Sequence, residues 1–288
     1  MISITSCMDE RDIAQEVIME RMVHKGSTLL LEGKTDIKRF KNFIDSGACS
    51  LVNCQSVRKA EGAMQILFRR GVRGVVAILD RDFRGVLGLQ DRNTNIIRSC
   101  GHDLDSDWLH TSATARYLGE VADETKVVAL GGPDQVLNLI HQALRPISTA
   151  RLLGVKRVFH FRTSGVDVSE FFISGGNLLR DYLNALTVNG SVDASRHDWM
   201  EAEIHREMSI PKSDRQMSNG HDLCCALGKM LMTEIGSRRR PQAWGSEIES
   251  HIRMNFDDRD FRSLAIYSQI LEWEDNNPGY KVLDKRLN

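Results

Sequence analysis

The sequence "VVAILDRD" at residues 75–82 constrains the fold of this 288-residue chain more than any other feature. A short continuous apolar run is typical of a parallel strand that is buried on both faces. Three further runs are predicted as strands: "TLLLE" at 28–32, "CSLVNCQ" at 49–55 and "NIIRSC" at 95–100. Helical patterns separate the first three of these four strands. Alternating strands and helices with short connections predict a parallel α/β sheet with right-handed crossovers.

The helical pattern divides the chain in two. Apolar residues recur at helical spacing over residues 8–24, and further helices are predicted over 36–44 and 58–70. Beyond about residue 125 the pattern is mainly helical. We therefore predict an N-terminal helix and α/β domain over residues 1–125, and a mainly α-helical domain over residues 126–288.

Three local patterns in the second half carry their own predictions. "KVVAL" at residues 126–130 is predicted as one more strand, and "KRVFHFR" at 156–162 as another. The segments "GGPDQVLNLIHQALRP" at 131–146, which ends at Pro146, and "STARLLG" at 148–154 are predicted as two helices. The tetrapeptide Gly-His-Asp-Leu occurs at 101–104 and 220–223, but its flanks differ, and the repetition is interpreted as chance.

Composition excludes several classes of protein. The net charge is −1 and the hydrophobic content is 41%, as in ordinary globular proteins. No apolar run approaches the length of a membrane span. The acidic residues Asp9, Glu10 and Asp12 stand where a signal peptide would carry its apolar region. Six cysteines show no disulfide framework or zinc-ribbon spacing, so we expect a reducing, cytoplasmic location.

Acidic residues follow three of the predicted strands. Glu32 ends the first strand, Asp80 and Asp82 end the third, and Asp103, Asp105 and Asp107 come after the fourth. Because the carboxyl ends of parallel strands meet at one edge of a sheet, these acids are expected to lie together there. On an extended backbone, residues two apart point the same way, so Asp80 and Asp82 are expected to face one ion.

This acidic cluster suits hard divalent cations. Carboxylate oxygens are preferred ligands of Mg²⁺ and Mn²⁺. Two such ions can activate a water molecule and stabilise the leaving oxygen in phosphodiester cleavage. In an alternative role, Glu32 serves as a general acid or base. The competing interpretation is a solvated rim of loops.

A P-loop is excluded by spacing, although Gly33-Lys34-Thr35 resembles the end of one. A P-loop requires a glycine five residues before the glycine of Gly-Lys-Thr, and Thr28 occupies that position. Glu32 would also repel a triphosphate.

Basic residues surround these acids in the sequence. Residues 34–84 contain eleven lysines and arginines against five aspartates and glutamates, an excess of six. Such a field favours a polyanionic partner, although a solvated surface of mixed charge is the more common explanation for the bias alone. The candidate phosphate-contacting residues are Lys34, Lys38, Arg58, Lys59, Arg81 and Arg84.

The segments "LLLEGKTD", "VVAILDRDF" and "GHDLDSDWL" together resemble the TOPRIM domain over roughly residues 25–125. The resemblance implies a Rossmann-like parallel sheet and a metal-dependent nuclease with Glu32, Asp80 and Asp82 as catalytic residues. It also places Asp36 at an aspartate that often follows the glutamate-glycine. The implied metal ligands are Glu32, Asp36, Asp80, Asp82, Asp103 and Asp105, with aspartate at position 105 where the family usually has glutamate.

The third segment is most similar to a TOPRIM subfamily once called a domain of unknown function, which includes effectors of the PARIS anti-phage defence system. "NGHDL" at residues 219–223 resembles a C-terminal signature of that subfamily. The resemblance implies a toxic nuclease that an ABC-type ATPase restrains, that acts as a homodimer when active and that cleaves host transfer RNA. No membrane partner is implied.

Three other functions remain as alternatives. One is a DNA-cleaving nuclease of the overcoming-lysogenization-defect (OLD) type, and another is a non-catalytic TOPRIM protein that binds nucleic acid or assembles complexes. The third is a metal phosphohydrolase, because His102 and His221 each precede an aspartate. That chemistry would need further ligands, for which His141, His197 and His205 are the candidates.

Overall fold

The structure is a computed structural model that describes residues 8–160, 166–168, 178–236 and 245–287. Its strands are β1 (Ser27–Leu31), β2 (Cys49–Asn53), β3 (Val75–Leu79) and β4 (Ile96–Arg98). Its α-helices are α1 (Glu10–Val23), α2 (Lys34–Phe40), α3 (Val57–Arg69), α4 (Leu104–Leu109), α5 (Ser112–Val121), α6 (Glu124–Ala129), α7 (Pro133–Val155), α8 (Leu178–Val188), α9 (His197–Met208), α10 (Asp214–Met217), α11 (Gly220–Thr233), α12 (Gly245–Asn255), α13 (Asp258–Ser263) and α14 (Ala265–Asn276). Short 3₁₀ turns cover Asp82–Arg84, Ala194–Arg196 and Lys285–Leu287.

The chain divides into two compact units that interleave along the sequence. The first contains the residues up to Arg81, Gln90–Cys100 and everything from Asp257 onward, and the second contains Asp82–Leu89 and Gly101–Phe256. This division does not coincide with the predicted boundary after residue 125.

The first unit is built on a parallel sheet. In the described residues four strands pair in the order β2-β1-β3-β4, with every pairing parallel. All residues of β1 and β3, the two central strands, are buried. An apolar run of this kind is expected where both faces of a strand are covered. The predicted α/β sheet is therefore confirmed.

Helix α1 packs its apolar face into the core of this sheet. The helix begins after Asp9, whose carboxylate accepts hydrogen bonds from the backbone of Arg11 and Asp12, at 2.8 and 3.0 Å. The Asp12 carboxylate accepts from the Asp9 backbone N–H in return, which completes a capping box. Ile13 and Val17 are then fully buried against α3 and the strands.

The last residues of the chain belong to the first unit. Phe261 of α13 stacks on Phe43, with ring centroids 4.4 Å apart. Trp273 of α14 donates its indole N–H to Asn95, just before β4, at 2.8 Å. The buried Glu274 accepts the backbone N–H groups of Val282 and Leu283, at 2.7 and 2.8 Å. The C-terminal segment therefore contributes to the core of the first unit.

The second unit is helical in its described residues. Helix α7 supplies a buried stripe that includes Ile140, Leu144 and Ile147. Leu152 of the same helix packs with Phe83 and Met217 in a separate small cluster. These contacts confirm a mainly helical region beyond the sheet.

The three local predictions in this region need correction. Residues 124–129 form α6 because Asp123 caps the helix, accepting from the backbone of Thr125 at 3.0 Å. Pro146 lies inside the continuous helix α7, whose buried face offsets the lost hydrogen bond. Residues 156–160 form no strand, while 161–162 of that predicted strand lie outside the described residues.

None of the helices in the described part of the chain combines the length and the apolar character needed to cross a bilayer.

A close backbone approach in the second unit requires glycine at position 220. A β-carbon there would lie 2.2 Å from the β-carbon of Asp105 and 2.7 Å from the backbone nitrogen of Ser106. Gly119, on α5, offers a matched control because a β-carbon added there would meet nothing within 4 Å.

We predict that Gly220→Ala lowers the free energy of unfolding by about 1–3 kcal/mol, because the added methyl group overpacks a rigid contact. Gly119→Ala should instead raise it by up to about 1 kcal/mol through helix propensity. Urea denaturation of both variants measures the difference. Equal effects at the two positions would contradict the close approach.

Candidate functional site

Glu32 and Asp80 leave the sheet at the same edge. β1 and β3 pair in parallel with Leu31 opposite Ile78, and each acid directly follows its strand. Both side chains are half-buried. The parallel register therefore places residues 32 and 80 at the same edge of the sheet, within the first unit.

Asp36 organises the turn that follows Glu32. Its Oδ2 accepts the backbone N–H of Gly33 at 2.9 Å, and its Oδ1 accepts from the Arg39 guanidinium at 2.6 Å. Asp36 and Arg39 are both buried. Each oxygen therefore accepts a local hydrogen bond, and the structure assigns Asp36 a positioning role next to Glu32.

Arg98 holds the end of β3 in place and was not among the residues singled out from the sequence. Its Nη1 donates to the backbone carbonyl of Asp80 at 2.8 Å. Its Nε and Nη2 each donate to the Asp91 carboxylate at 2.9 Å, and Nη2 also contacts Glu61. The sequence signal that could have identified Arg98 is a charged residue within the predicted strand "NIIRSC".

The buried guanidinium remains charged. Burial acts to lower the pKa of Arg98, but the hydrogen bonds that Arg98 donates to Asp91 and Glu61 outweigh it and raise the pKa above its ordinary value. The Arg98 side chain is only 5% exposed. A buried cation with two carboxylate partners fixes the backbone at Asp80 more firmly than an exposed pair could.

Asp82 begins the second unit and departs from the expected geometry. β3 ends at Leu79, and the backbone of Asp82 has φ of +50°, in the left-handed region. The expectation that Asp80 and Asp82 share an extended backbone is therefore wrong. Aspartate tolerates this conformation better than most residues, and such strained positions often mark functional sites.

His102 fixes the conformation of Asp82. The Asp82 backbone N–H donates to the carbonyl of His102 at 2.7 Å, and the Asp82 carboxylate lies 3.8 Å from the His102 Nε2. The His102 Nδ1 lies 3.2 Å from the carbonyl of Gln216 and can donate to it. Burial lowers the pKa of His102 below its ordinary value, so the ring is neutral near pH 7.

Asp103 joins two helices of the second unit. It caps α4 by accepting the backbone N–H of Ser106 at 2.7 Å, and its carboxylate also accepts the backbone N–H of Gly220, 2.8 Å from Oδ2. These contacts assign Asp103 a structural role. Asp105 lies half-buried in the first turn of α4, where it contacts Gly220.

The six predicted ligands are therefore divided between the units, with Asp82, Asp103 and Asp105 in the second. Within the described ranges, no group of three or more His, Cys, Asp or Glu side chains is placed to hold a metal ion. Glu32 and Asp80 supply two hard oxygen donors at one edge. Mg²⁺ commonly binds through one or two carboxylates while keeping several waters and a substrate phosphate. These two residues fit such an ion.

The predicted basic residues fall into three groups. Lys34, Lys38 and Arg58 are exposed on α2 and α3, whose first turns follow the carboxyl ends of β1 and β2. Lys59 and Arg81 make local contacts, to the Gln55 side chain at 2.9 Å and to the Ser99 carbonyl at 2.6 Å. Arg84 lies in the second unit and is half-buried.

The candidate phosphohydrolase histidines have separate partners. His141 lies 3.1 Å from His110 between their Nε2 atoms, and His197 hydrogen-bonds Thr187 at 2.8 Å. His221 contacts Glu249 and Cys225, and His205 is exposed on α9. Nothing in these described contacts supports a shared metal centre.

We predict that Arg98→Met destabilises the protein by about 3–5 kcal/mol, because it leaves two carboxylates without their buried cation. Arg92→Met is the matched control, since Arg92 is exposed in the same segment, and its effect should stay within about 0.5 kcal/mol. Thermal and urea denaturation measure both. A small loss for Arg98→Met would show that the network is dispensable.

No protein-family model matches the chain, and no curated protein matches it either. The TOPRIM resemblance therefore remains an interpretation of the motifs. The roles described above follow from the register of the strands and from the contacts of each side chain.

Proposed function

We propose that this chain is a divalent-metal-dependent TOPRIM nuclease. The observation that carries the proposal is the placement of Glu32 and Asp80 at the ends of two paired central strands. The exposed Lys34 and Arg58 follow the same edge of the sheet. Carboxylates that hold a divalent cation and basic side chains that contact phosphates are typical of metal-dependent nucleases.

Each residue has a distinct role in this proposal. Glu32 and Asp80 would hold the ion, and Asp82 follows two residues later in the Asp-x-Asp motif. When bound, the ion supplies Lewis-acid stabilisation of charge on the phosphate. Arg98 fixes the backbone of Asp80, and Asp36 fixes the turn after Glu32. Lys34 and Arg58 would position the backbone of the nucleic acid.

The motif resemblance guides the choice of substrate and partner. It favours a cytoplasmic effector of anti-phage defence that an ABC-type ATPase restrains and that cleaves host transfer RNA as a homodimer. Folded RNA is read largely through its shape and backbone, with bases taken from loops. Expression of the chain alone should then be toxic, and the ATPase should suppress that toxicity.

Sequencing of RNA ends after induction tests this choice of substrate. Cuts in transfer-RNA anticodon regions support the proposal. Intact transfer RNA beside fragmented DNA would indicate the OLD-type alternative. Binding of nucleic acid without cleavage of either kind would indicate a non-catalytic TOPRIM protein.

We predict that Glu32→Gln reduces cleavage by about 10²-fold or more, because it removes a charged ligand while keeping the size of the side chain. Calorimetry should show weaker Mn²⁺ binding by the same variant. Glu272→Gln is the control, as Glu272 is exposed on α14 of the same unit. EDTA should abolish the activity, and cleavage that persists in EDTA would rule out a metal-dependent mechanism.

We also predict that Lys34→Glu with Arg58→Glu weakens nucleic-acid binding. The slope of log affinity against log salt should fall by about 0.7–0.9 for each lost phosphate contact. Lys25→Glu is the control, because the exposed Lys25 precedes β1 and lies toward the opposite edge of the sheet. If the control flattens the slope equally, the nucleic acid binds elsewhere.

A further inference from the structure

Three side chains of the second unit form a linear set of contacts. His221 and Cys225 are four residues apart on α11 and lie on one face, with the Cys225 Sγ 3.6 Å from the His221 Nε2. The other ring nitrogen of His221, Nδ1, lies 3.1 Å from Oε1 of Glu249 on α12. The other carboxylate oxygen of Glu249, Oε2, lies 3.8 Å from Nη1 of Arg253. Thiol, imidazole and carboxylate thus follow one another.

This order of groups argues against a metal site. The two nitrogens of an imidazole point in different directions, so the sulfur and the carboxylate lie on different sides of the His221 ring. They do not converge on one ion. The arrangement is that of a nucleophile, a base and a group that orients the base.

An acyl-transfer enzyme is also disfavoured. Such an enzyme needs backbone N–H donors directed at the oxyanion beside the nucleophile. Cys225 lies inside α11, where backbone N–H groups are committed to helical hydrogen bonds. Its side chain is also buried, with 3% exposure, so a large substrate would not reach the sulfur.

We propose that Cys225 is a modification site whose sulfur, facing the His221 ring that Glu249 orients, reacts with small uncharged hydroperoxides. This proposal does not depend on the nuclease assignment.

The electrostatic surroundings favour this chemistry. Hydrogen bonds to Cys225 and Glu249 raise the pKa of His221 well above its ordinary value. An imidazolium beside a sulfur stabilises the thiolate, the nucleophilic form of cysteine. The nearby carboxylates of Asp105 and Glu249, which act on the adjacent Cys224, disfavour anionic reagents. A small uncharged oxidant can reach the buried sulfur and is not repelled by these carboxylates.

The reaction balances with the groups present and one hydroperoxide. The thiolate attacks one peroxide oxygen, an S–O bond forms and the O–O bond breaks. The sulfur is oxidised by two electrons to a sulfenic acid, while the peroxide is reduced. With hydrogen peroxide the departing hydroxide takes the proton of the His221 imidazolium and leaves as water, and with an alkyl hydroperoxide the departing alkoxide leaves as the alcohol. His221 is exposed on its outer side and regains a proton from solvent.

The neighbouring Cys224 is a poor partner for the oxidised sulfur. Consecutive α-carbons across a trans peptide are about 3.8 Å apart. Most disulfides need about 4.4 Å or more between α-carbons. The sulfenic acid should therefore persist long enough to be captured by an added reagent.

The test uses the full chain treated with hydrogen peroxide and then with dimedone, which labels sulfenic acids. Peptide mapping by tandem mass spectrometry compares Cys225 with Cys49, a thiol of equal 3% exposure. Burial raises the pKa of Cys49 to about 12. Cys225 should be labelled about tenfold faster or more, because only its sulfur faces an imidazolium. Equal rates in the native protein would overturn the proposal without any variant.

Two variants separate the roles of the partners. His221→Gln should reduce labelling of Cys225 to the rate of Cys49, whereas His205→Gln, at an exposed histidine of α9, should have no effect. Glu249→Gln should change the pH dependence of the labelling rate, because it removes a carboxylate that raises the pKa of His221. Unchanged labelling in His221→Gln, or an unchanged pH profile in Glu249→Gln, would refute the assigned roles.

Discussion

The candidate site depends on one buried cation, Arg98. A guanidinium in the interior loses its hydration, and only good geometry with carboxylate partners repays that cost. Asp91 and Glu61 supply the partners, and the remaining donor fixes the carbonyl of Asp80. This ion-pair network therefore holds the backbone at Asp80, the residue that directly follows β3.

The acidic residues that looked alike in the sequence serve different purposes in the fold. Asp36 and Asp103 accept backbone N–H groups and close local turns or join helices. Glu32 and Asp80 instead owe their places to the strands that they end. A carboxylate that accepts several N–H groups stabilises the local fold. A carboxylate that follows a strand directly is instead positioned by the sheet. This distinction leaves Glu32 and Asp80 of the first unit as the proposed metal ligands.

The sequence predicted those parts of the structure that depend on local pattern. The four strands could be located because their apolar runs are short and the first three alternate with helical patterns, the arrangement of an α/β sheet. The strand predicted at "KVVAL" was wrong because a single capping residue, Asp123, outweighed a short apolar run. The contribution of the C-terminal segment to the sheet unit could not be predicted, since the contact of Phe43 with Phe261 joins distant parts of the chain. The four-residue spacing of His221 and Cys225 can be read from the sequence alone. The contact of His221 with Glu249 depends on the fold, which brings α12 beside α11.

The two Gly-His-Asp-Leu segments show how far environment decides the chemistry of identical residues. The two segments meet in the second unit, where Asp103 of the segment 101–104 accepts the backbone N–H of Gly220 of the segment 220–223. Asp103 caps a helix, while its counterpart Asp222 is ion-paired with Arg151. Burial keeps the first histidine, His102, neutral, whereas a carboxylate and a sulfur favour the charged form of His221. The same motif therefore places one histidine beside Asp82 and the other beside the sulfur of Cys225, because their neighbours differ.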